Sequence, residues 1–333
     1  MRSFARRTGA LGAAVVLVAA CAPRGAVAVS DVRVAILDSG IISNSEFPAG
    51  QVVAWRDFVN GFTTPYDDLG HGTAVASRAA GRTLGAYPGV KLVIGKVLSG
   101  DDFATWTTVA EGIRWAADQS ADVINLSLWA SAPNPTSALL TIGAAIDYAT
   151  SKGALVVWIA GNGGTGSALP PVPASWPSTV LVGANSPQAL VVGATDSSGA
   201  VPVWSQRDPE LVTPGWDVPI LWNDGAIYFG SGTSFAAPWA AGVAARLLAD
   251  GAPQDPSWLK WVLLHCSIDR AQYSYLDEGY GWLNADAVAR ARTIAQGSQP
   301  VPAPDARDVF HVATAAARTA QVATVPAGAL PPL

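Results

Sequence analysis

Three side chains of this 333-residue chain have the types that together make a hydrolytic centre: Asp38, His71 and Ser234. A serine hydroxyl is a weak nucleophile at neutral pH. It needs a nearby base, and that base must be held in one tautomer by a third group. Histidine has the fitting ordinary pKa, and the chain has three: His71, His265 and His311. Only His71 lies in a glycine-flanked loop, Gly70-His71-Gly72-Thr73, where other chain can approach closely. His265, in Trp261-Val262-Leu263-Leu264-His265-Cys266, reads as part of a helix packed on the core, and His311 belongs to the C-terminal tail. Ser234 stands in Gly232-Thr233-Ser234-Phe235-Ala236-Ala237-Pro238, ahead of Ala240, Ala241, Gly242, Ala244 and Ala245. These small residues predict a thin, buried helix with Pro238 tolerated in its first turn. At its N-terminus the Ser234 hydroxyl and backbone N–H would share the positive end of the helix dipole, where an oxyanion can be held. Taken singly, each residue has a plainer reading: an acid ending a strand, a histidine capping a loop, a serine N-cap.

The elements that must position these groups alternate along the chain. Val32–Leu37, Lys91–Val97, Val123–Leu128, Leu155–Ala160 and Ala189–Gly193 are near-continuous apolar runs bounded by Gly, Asp or Asn. Such runs predict strands covered on both faces. Phe103–Gln119, Thr136–Ser151 and Ser234–Asp250 carry helix-period apolar residues, with Gly153 and Gly251 as C-terminal stops for the last two. The pattern is that of an α/β fold: a mostly parallel β-sheet flanked by helices on both faces. Reactive groups in such sheets gather where strands end and helices begin, and Asp38 sits at one such end.

Composition excludes several classes of function. The chain is 50% hydrophobic and only 14% charged, which rules out global disorder. Its net charge of −5 offers no basic patch for nucleic acid. Two cysteines, Cys21 and Cys266, cannot form a disulfide framework, and no Cys/His cluster has zinc-ligand spacing. No metal ligand is assigned.

The N-terminus reads as an address. Arg2, Arg6 and Arg7 precede an apolar run, Ala10–Ala20, that is too short to span a bilayer. Val18-Ala19-Ala20-Cys21 resembles the bacterial lipobox, which implies diacylglycerol on the Cys21 thiol; an ordinary cleavage site before a cysteine is the alternative. Residues 1–20 are expected to be a signal peptide, 21–30 a spacer, 31–297 a catalytic domain and 298–333 a Pro/Ala-rich tail, of which Val309–Val325 could pack back. Removing residues 1–20 takes the charge from −5 to −8 by loss of three arginines. The expectation is an acidic protein outside the cell, lipid-anchored to the membrane or else secreted.

The chain order Asp, His, Ser is that of the subtilisin triad, and from about Asp31 to Arg292 the sequence resembles the subtilase family of serine peptidases. The resemblance rests on Val34–Asp38 with Ser39-Gly40, on His71-Gly72-Thr73, on Val123-Ile124-Asn125-Leu126-Ser127-Leu128 and on Ala160-Gly161-Asn162. It continues through Pro173-Ala174-Ser175-Trp176-Pro177, Val192-Gly193-Ala194-Thr195, Pro214-Gly215, Gly232–Pro238 and Gly279-Tyr280-Gly281. It implies Ser234 as nucleophile, His71 as general base and then acid, and Asp38 as the group orienting and stabilising the imidazolium. It also implies Asn162 as side-chain donor of the oxyanion hole, with the Ser234 N–H as second donor. Ser127, Leu128, Trp129, Ala160 and Gly161 would bind the substrate backbone. No cofactor is implied for the chemistry. Structural calcium is common among relatives, but the loop acids Asp57, Asp67, Asp68, Asp101 and Asp102 read mostly as solvated surface. The implied activity is that of a monomeric endopeptidase acting on proteins or peptides through an acyl-enzyme.

Departures from the family pattern are local. The subtilase-like region begins about ten residues after Cys21, which leaves out the long pro-segment of many relatives. Ala74 stands where His-Gly-Thr-His forms carry a second histidine, and Trp129 follows Ser127-Leu128 where glycine is common. If the strand continues, Trp129 points to the same side as Ser127, into the cleft, and narrows substrate choice. Two other readings fail. Gly161-Asn162-Gly163-Gly164-Thr165-Gly166 matches a dinucleotide-binding fingerprint, but the Ser167–Pro173 that follows is too proline-rich for the required helix. An α/β-hydrolase using Ser234, Asp250 or Asp255, and His265 lacks the second glycine of G-x-S-x-G and leaves Asp38 and His71 unexplained. A non-catalytic surface lipoprotein that binds a partner is the rival from another class.

Overall fold

A computed structural model describes residues 31–128, 135–164, 186–308 and 311, with only the backbone of 135–139. Among these residues seven strands form one parallel sheet in the order β2-β3-β1-β4-β5-β6-β7: β1 Arg33–Asp38, β2 Val52–Asp57, β3 Lys91–Lys96, β4 Val123–Leu126, β5 Leu155–Ile159, β6 Leu190–Thr195 and β7 Leu211–Pro214. The β1, β3, β4, β5 and β6 residues are almost all buried, as unbroken apolar runs require of strands covered on both faces. β2 lies at one edge of the sheet, with a bulge between Val52 and Ala54 and mixed exposure, so it has no continuous apolar run to announce it.

The helices are α1 His71–Ala80, α2 Trp106–Asp118, α3 Pro135–Ser151, α4 Thr233–Ala249, α5 Pro256–Cys266, α6 Tyr275–Glu278 and α7 Ala285–Ala295. α2 starts three residues later than its periodicity predicts, because the Thr105 side chain caps it by accepting from Thr108 N. The expected strand Val123–Leu128 ends at Leu126, and the predicted helix beginning at Ser234 begins at Thr233. α4 is apolar around most of its circumference and buried along nearly its whole length, as a helix inside a layered domain must be. A separate antiparallel hairpin, β8 Val218–Leu221 with β9 Ile227–Gly230, leads into α4. Residues 302–308 return to the domain: Trp261 Nε1 donates to Pro302 O at 3.0 Å, and Tyr280 OH donates to Asp308 Oδ1 at 2.6 Å.

From β1 the chain builds one side of the sheet through β2 and β3, then crosses to β4 on the other side. Strand order therefore reverses at β1. In open α/β sheets the crevice beyond the C-terminal ends at such a point is where ligands bind.

Candidate active site

β1 delivers Asp38 to that crevice. Its carboxylate is buried, and Oδ1 takes two hydrogen bonds: from Ser39 N at 2.8 Å and with His71 Nδ1 at 2.8 Å. A carboxylate only accepts, so Nδ1 carries the proton and Nε2 is the face left to act as a base. His71 opens α1, behind Gly70 in the left-handed region at φ 100°. Gly72 must be glycine: a Cβ there would lie 2.4 Å from Gly40 O and 2.7 Å from Gly40 N, so any side chain would push α1 off the end of β1.

One buried acid that the sequence reading left as solvated surface holds this junction. Asp67 Oδ1 accepts from Ser39 Oγ at 2.8 Å, Gly70 N at 2.7 Å and Leu69 N at 3.2 Å. Its Oδ2 accepts from Thr73 N at 2.8 Å and Thr73 Oγ1 at 2.6 Å, and Ser39 Oγ itself accepts from Gly72 N at 2.8 Å. The strand end bearing Asp38 and the first turn bearing His71 are thus tied through a single carboxylate, which also suits the positive end of α1. The available sequence signal was an acid four residues before His71, in the turn entering the helix. Two more of the loop acids are similarly engaged. Asp57 accepts from three backbone N–H groups and Tyr66 OH, and Asp68 pairs with the buried Lys96 at 2.5 Å. Asp101 and Asp102 are exposed, as expected.

Ser234 is the second residue of α4 and is buried, with its Oγ 3.3 Å from Ser127 O. Pro238 falls in the second turn, not the first as the sequence suggested. With no N–H, it leaves the Ser234 carbonyl without its i→i+4 partner. Ser127 Oγ fills the gap, donating to Ser234 O at 2.9 Å while accepting from Asn125 Nδ2 at 2.9 Å. The Ser127 side chain thus turns inward to hold the backbone of Ser234. The His71 ring lies beside Phe235, 5.9 Å between centroids, so the histidine and the serine helix share one wall of the crevice. The Ser234 hydroxyl bonds to Ser127 in this state; in such centres the bond to the base is often long until substrate is bound. Arg78 of α1 is buried with only carbonyl partners, reaching Phe235 O at 3.4 Å and Pro214 O at 3.3 Å. Burial lowers its pKa to about 10, and it braces the histidine helix against the serine helix.

Asn162 follows β5 and is exposed. Its Oδ1 accepts from Thr233 N and from Thr233 Oγ1, both at 2.9 Å. With the oxygen engaged, the amide nitrogen has no hydrogen-bond partner among the described residues: a Cβ placed on Gly232 would lie 3.6 Å from Asn162 Nδ2 and 3.7 Å from Ser234 N. Two N–H donors therefore flank one small space at the start of α4. Leu128, Ala160 and Gly161 are buried at the ends of β4 and β5. Ala160 N bonds Val192 O at 2.8 Å and Gly161 N reaches Thr233 Oγ1 at 3.3 Å, so both N–H groups support the site from below. Trp129, Cys21 and Pro173–Pro177 lie outside the described residues. Among the described residues, no helix is long and apolar enough to cross a membrane.

Residues 30–282 match the subtilase family, peptidase S8. Thermitase from Thermoactinomyces vulgaris is 35% identical over 230 residues, covering 67% of this chain and 76% of that protein. Subtilisin E from Bacillus subtilis (strain 168) is 34% identical over 271 residues, covering 78% and 66%. M-protease from Shouchella clausii (strain KSM-K16) is 34% identical, and there the chain spans 56% of the relative's length. Among solved structures, the fold matches the epidermin leader peptide processing serine protease EpiP from Staphylococcus aureus with a TM-score of 0.68 at 19% identity, covering 80% of this chain and 75% of that one. It matches the nisin leader peptidase NisP from Lactococcus lactis with a TM-score of 0.63 at 21% identity, covering 79% and 88%. The chain belongs to the subtilase family of subtilisin-like serine endopeptidases.

Proposed function

We propose that Ser234, His71 and Asp38 form the catalytic triad of this peptidase and that Asn162 Nδ2 and Ser234 N–H form its oxyanion hole. The observation that carries this reading is the buried Asp38 carboxylate held 2.8 Å from His71, whose ring lies beside Phe235, the residue after Ser234. His71 Nε2 takes the Ser234 proton as Oγ attacks the scissile carbonyl, and Asp38 stabilises the imidazolium so formed. The carbonyl oxygen becomes an oxyanion between the two N–H donors. The imidazolium then protonates the leaving amine, the acyl-enzyme remains on Ser234, and water reverses the sequence to release the acid. A partner-binding protein without catalysis has no use for a buried carboxylate that fixes one imidazole tautomer. We further place the protein outside the cytoplasm, held on the membrane by lipid at Cys21. At about 0.8 kcal/mol per buried methylene, a diacylglycerol with a third acyl chain anchors stably.

One experiment reads both proposals. The chain and its Cys21→Ser form are expressed in a bacterial host that processes lipoproteins, labelled with a fluorophosphonate probe, and partitioned in detergent. The labelled band is expected in the detergent phase for the parent and in the aqueous phase for Cys21→Ser. No label in either form defeats the peptidase mechanism, and label in the aqueous phase for both defeats the anchor.

The pH dependence follows from the same pair. Burial pushes the His71 pKa down, but the Asp38 carboxylate, with Asp102 and Asp67 adding, raises it above its ordinary 6.5. The imidazolium therefore contributes stability fully below pH 6.5, and that contribution is lost as pH rises through the folded value. Activity runs the other way, because the base must be neutral. The acid limb of kcat/KM is expected above pH 6.5, and Asp102→Asn should move it down by removing one of the raising charges. A limb at or below 6.5 in the parent protein contradicts this assignment.

A further inference from the structure

Of the three histidines, the proposed mechanism uses only His71. His265, on the last turn of α5, has 1% of its side chain exposed. Its ring stacks on Trp261, 3.7 Å between centroids, and Nδ1 meets Trp261 O at 3.0 Å. A carbonyl only accepts, so Nδ1 carries a proton, and Nε2 is left to face the C-terminal arm formed by residues 302–308. What it faces is a second acceptor, the Asp308 carboxylate, with Oδ1 at 3.2 Å and Oδ2 at 3.4 Å. A nitrogen lone pair opposite a carboxylate is repelled unless a cation lies between them. Either a proton or a metal ion can serve.

The surroundings are those of a metal site. Asp305 comes from the same arm, and one ligand atom from each of His265, Asp305 and Asp308 lies within 4.8 Å of the other two. Zinc holds nitrogen and carboxylate oxygen at about 2.0–2.2 Å in a tetrahedron, which sets neighbouring ligand atoms about 3.3–3.5 Å apart. The gap between His265 Nε2 and Asp308 is already of that size. Each ligand also has an outer partner that orients it, as metal ligands do: Trp261 O for His265 Nδ1–H, Tyr280 OH for Asp308 Oδ1 at 2.6 Å, and Arg307 Nε for Asp305 at 3.0 Å. Arg307 donates to Ser267 O and Tyr280 O as well, so it keeps its place when Asp305 takes a second partner. A carboxylate has about four lone-pair sites, and these bonds leave room for an ion. Burial pushes the Asp308 carboxyl up, but the Tyr280 hydroxyl, the Asp305 N–H and His265 hold it below the ordinary range, and Arg307 does the same for Asp305. Both acids therefore stand in the ionised form that a metal needs.

We propose that His265 Nε2, Asp305 and Asp308 bind one zinc ion, which fastens the C-terminal arm to α5. Imidazole among carboxylates suits zinc, whereas calcium and magnesium take oxygen ligands. With three protein ligands the fourth position falls to water. The positive Arg307 beside Asp305 opposes the ion, so binding is expected to be weaker than at a closed four-ligand site. Asp308 stands 43 positions after His265, and the ion would close that length of chain and hold the arm over Trp261 and Tyr280. No residue of this site belongs to the Ser234 crevice, and the proposal does not depend on the peptidase reading.

The test titrates zinc into the metal-stripped full chain, carrying Ser234→Ala so that it cannot digest itself, against a colorimetric chelator at neutral pH. One ion per chain is expected, and calcium at the same concentration should not displace it. The melting temperature should rise by about 5 °C once free zinc reaches about 100 times Kd. Asp308→Asn and His265→Gln should each weaken binding by more than about 100-fold, because loss of an outer partner alone costs about 10- to 100-fold. Tyr280→Phe, which removes only the outer partner of Asp308, should weaken it about 10-fold. Melting without zinc shows that each variant is folded; should the buried His265→Gln fail there, Asp305→Asn, at an exposed acid, takes its place. A parent protein that takes up no zinc leaves only a proton between His265 and Asp308 and overturns the proposal. Zinc binding that Asp308→Asn and Asp305→Asn leave unchanged also overturns it, by placing the ion elsewhere on the chain.

Discussion

Ser234→Ala and His71→Ala are each expected to lose about six orders of magnitude in kcat, the size of the effect in subtilisin, where triad members act as a unit. The double variant should lose no more than either single one, because a base with no hydroxyl to deprotonate, or a hydroxyl with no base, contributes nothing further. The fold should survive. Ser234 Oγ makes one long bond, 3.3 Å to Ser127 O, while the structural link at this residue is its carbonyl, which accepts from Ser127 Oγ and is untouched by the change. Progress curves on a chromogenic peptide, with circular dichroism of the same preparations, make the measurement. A folded Ser234→Ala protein with parental turnover would remove Ser234 from the chemistry, and losses that multiply in the double variant would mean that the two residues act independently.

If Asn162 donates to the oxyanion as proposed, Asn162→Ala should lower kcat by about 100- to 1,000-fold with little change in KM, the magnitude for an oxyanion-hole donor of subtilisin. The Asn162 side chain has two ends, and both matter to the interpretation. Its Oδ1 holds Thr233 N and Oγ1 at the first turn of α4, so alanine removes that support together with the Nδ2 donor. Asn162→Asp separates the two. It keeps an acceptor for Thr233 but brings no N–H, and it sets a negative charge where an oxyanion must form. Its kcat should therefore fall at least as far as that of alanine, while its melting temperature stays closer to the parent. A kcat for Asn162→Asp near the parental value would make Asn162 a support of α4 and not a donor to the transition state. A loss confined to KM would make it a ground-state contact.

The alternation of apolar runs with small-residue helices determined a parallel α/β sheet, since an unbroken apolar run can be satisfied only where both faces are covered. The Gly-flanked His71, the strand-ending Asp38 and the helix-opening Ser234 were legible for the same kind of reason: each stands at the boundary of an element whose signal is local. β2 escaped because an edge strand with one side to solvent has no continuous apolar run, and β8 and β9 because four-residue strands carry too little period to count.

What the tertiary structure decided lies in long-range hydrogen bonds, which leave no periodic trace in the chain. Asp67 looked like one more loop acid, yet folding brings Ser39, 28 residues away, against it and makes it the tie between β1 and α1. The missing N–H of Pro238 leaves the carbonyl of Ser234 without its helical partner, and the hydroxyl of Ser127, 107 positions earlier, reaches it. The sequence by itself determined which groups could do chemistry and at which strand ends and helix starts they stand. The packing of α1 and α4 against those ends decided which polar atoms are spent on holding the site and which remain free to act, because most buried donors and acceptors find their partners only in three dimensions.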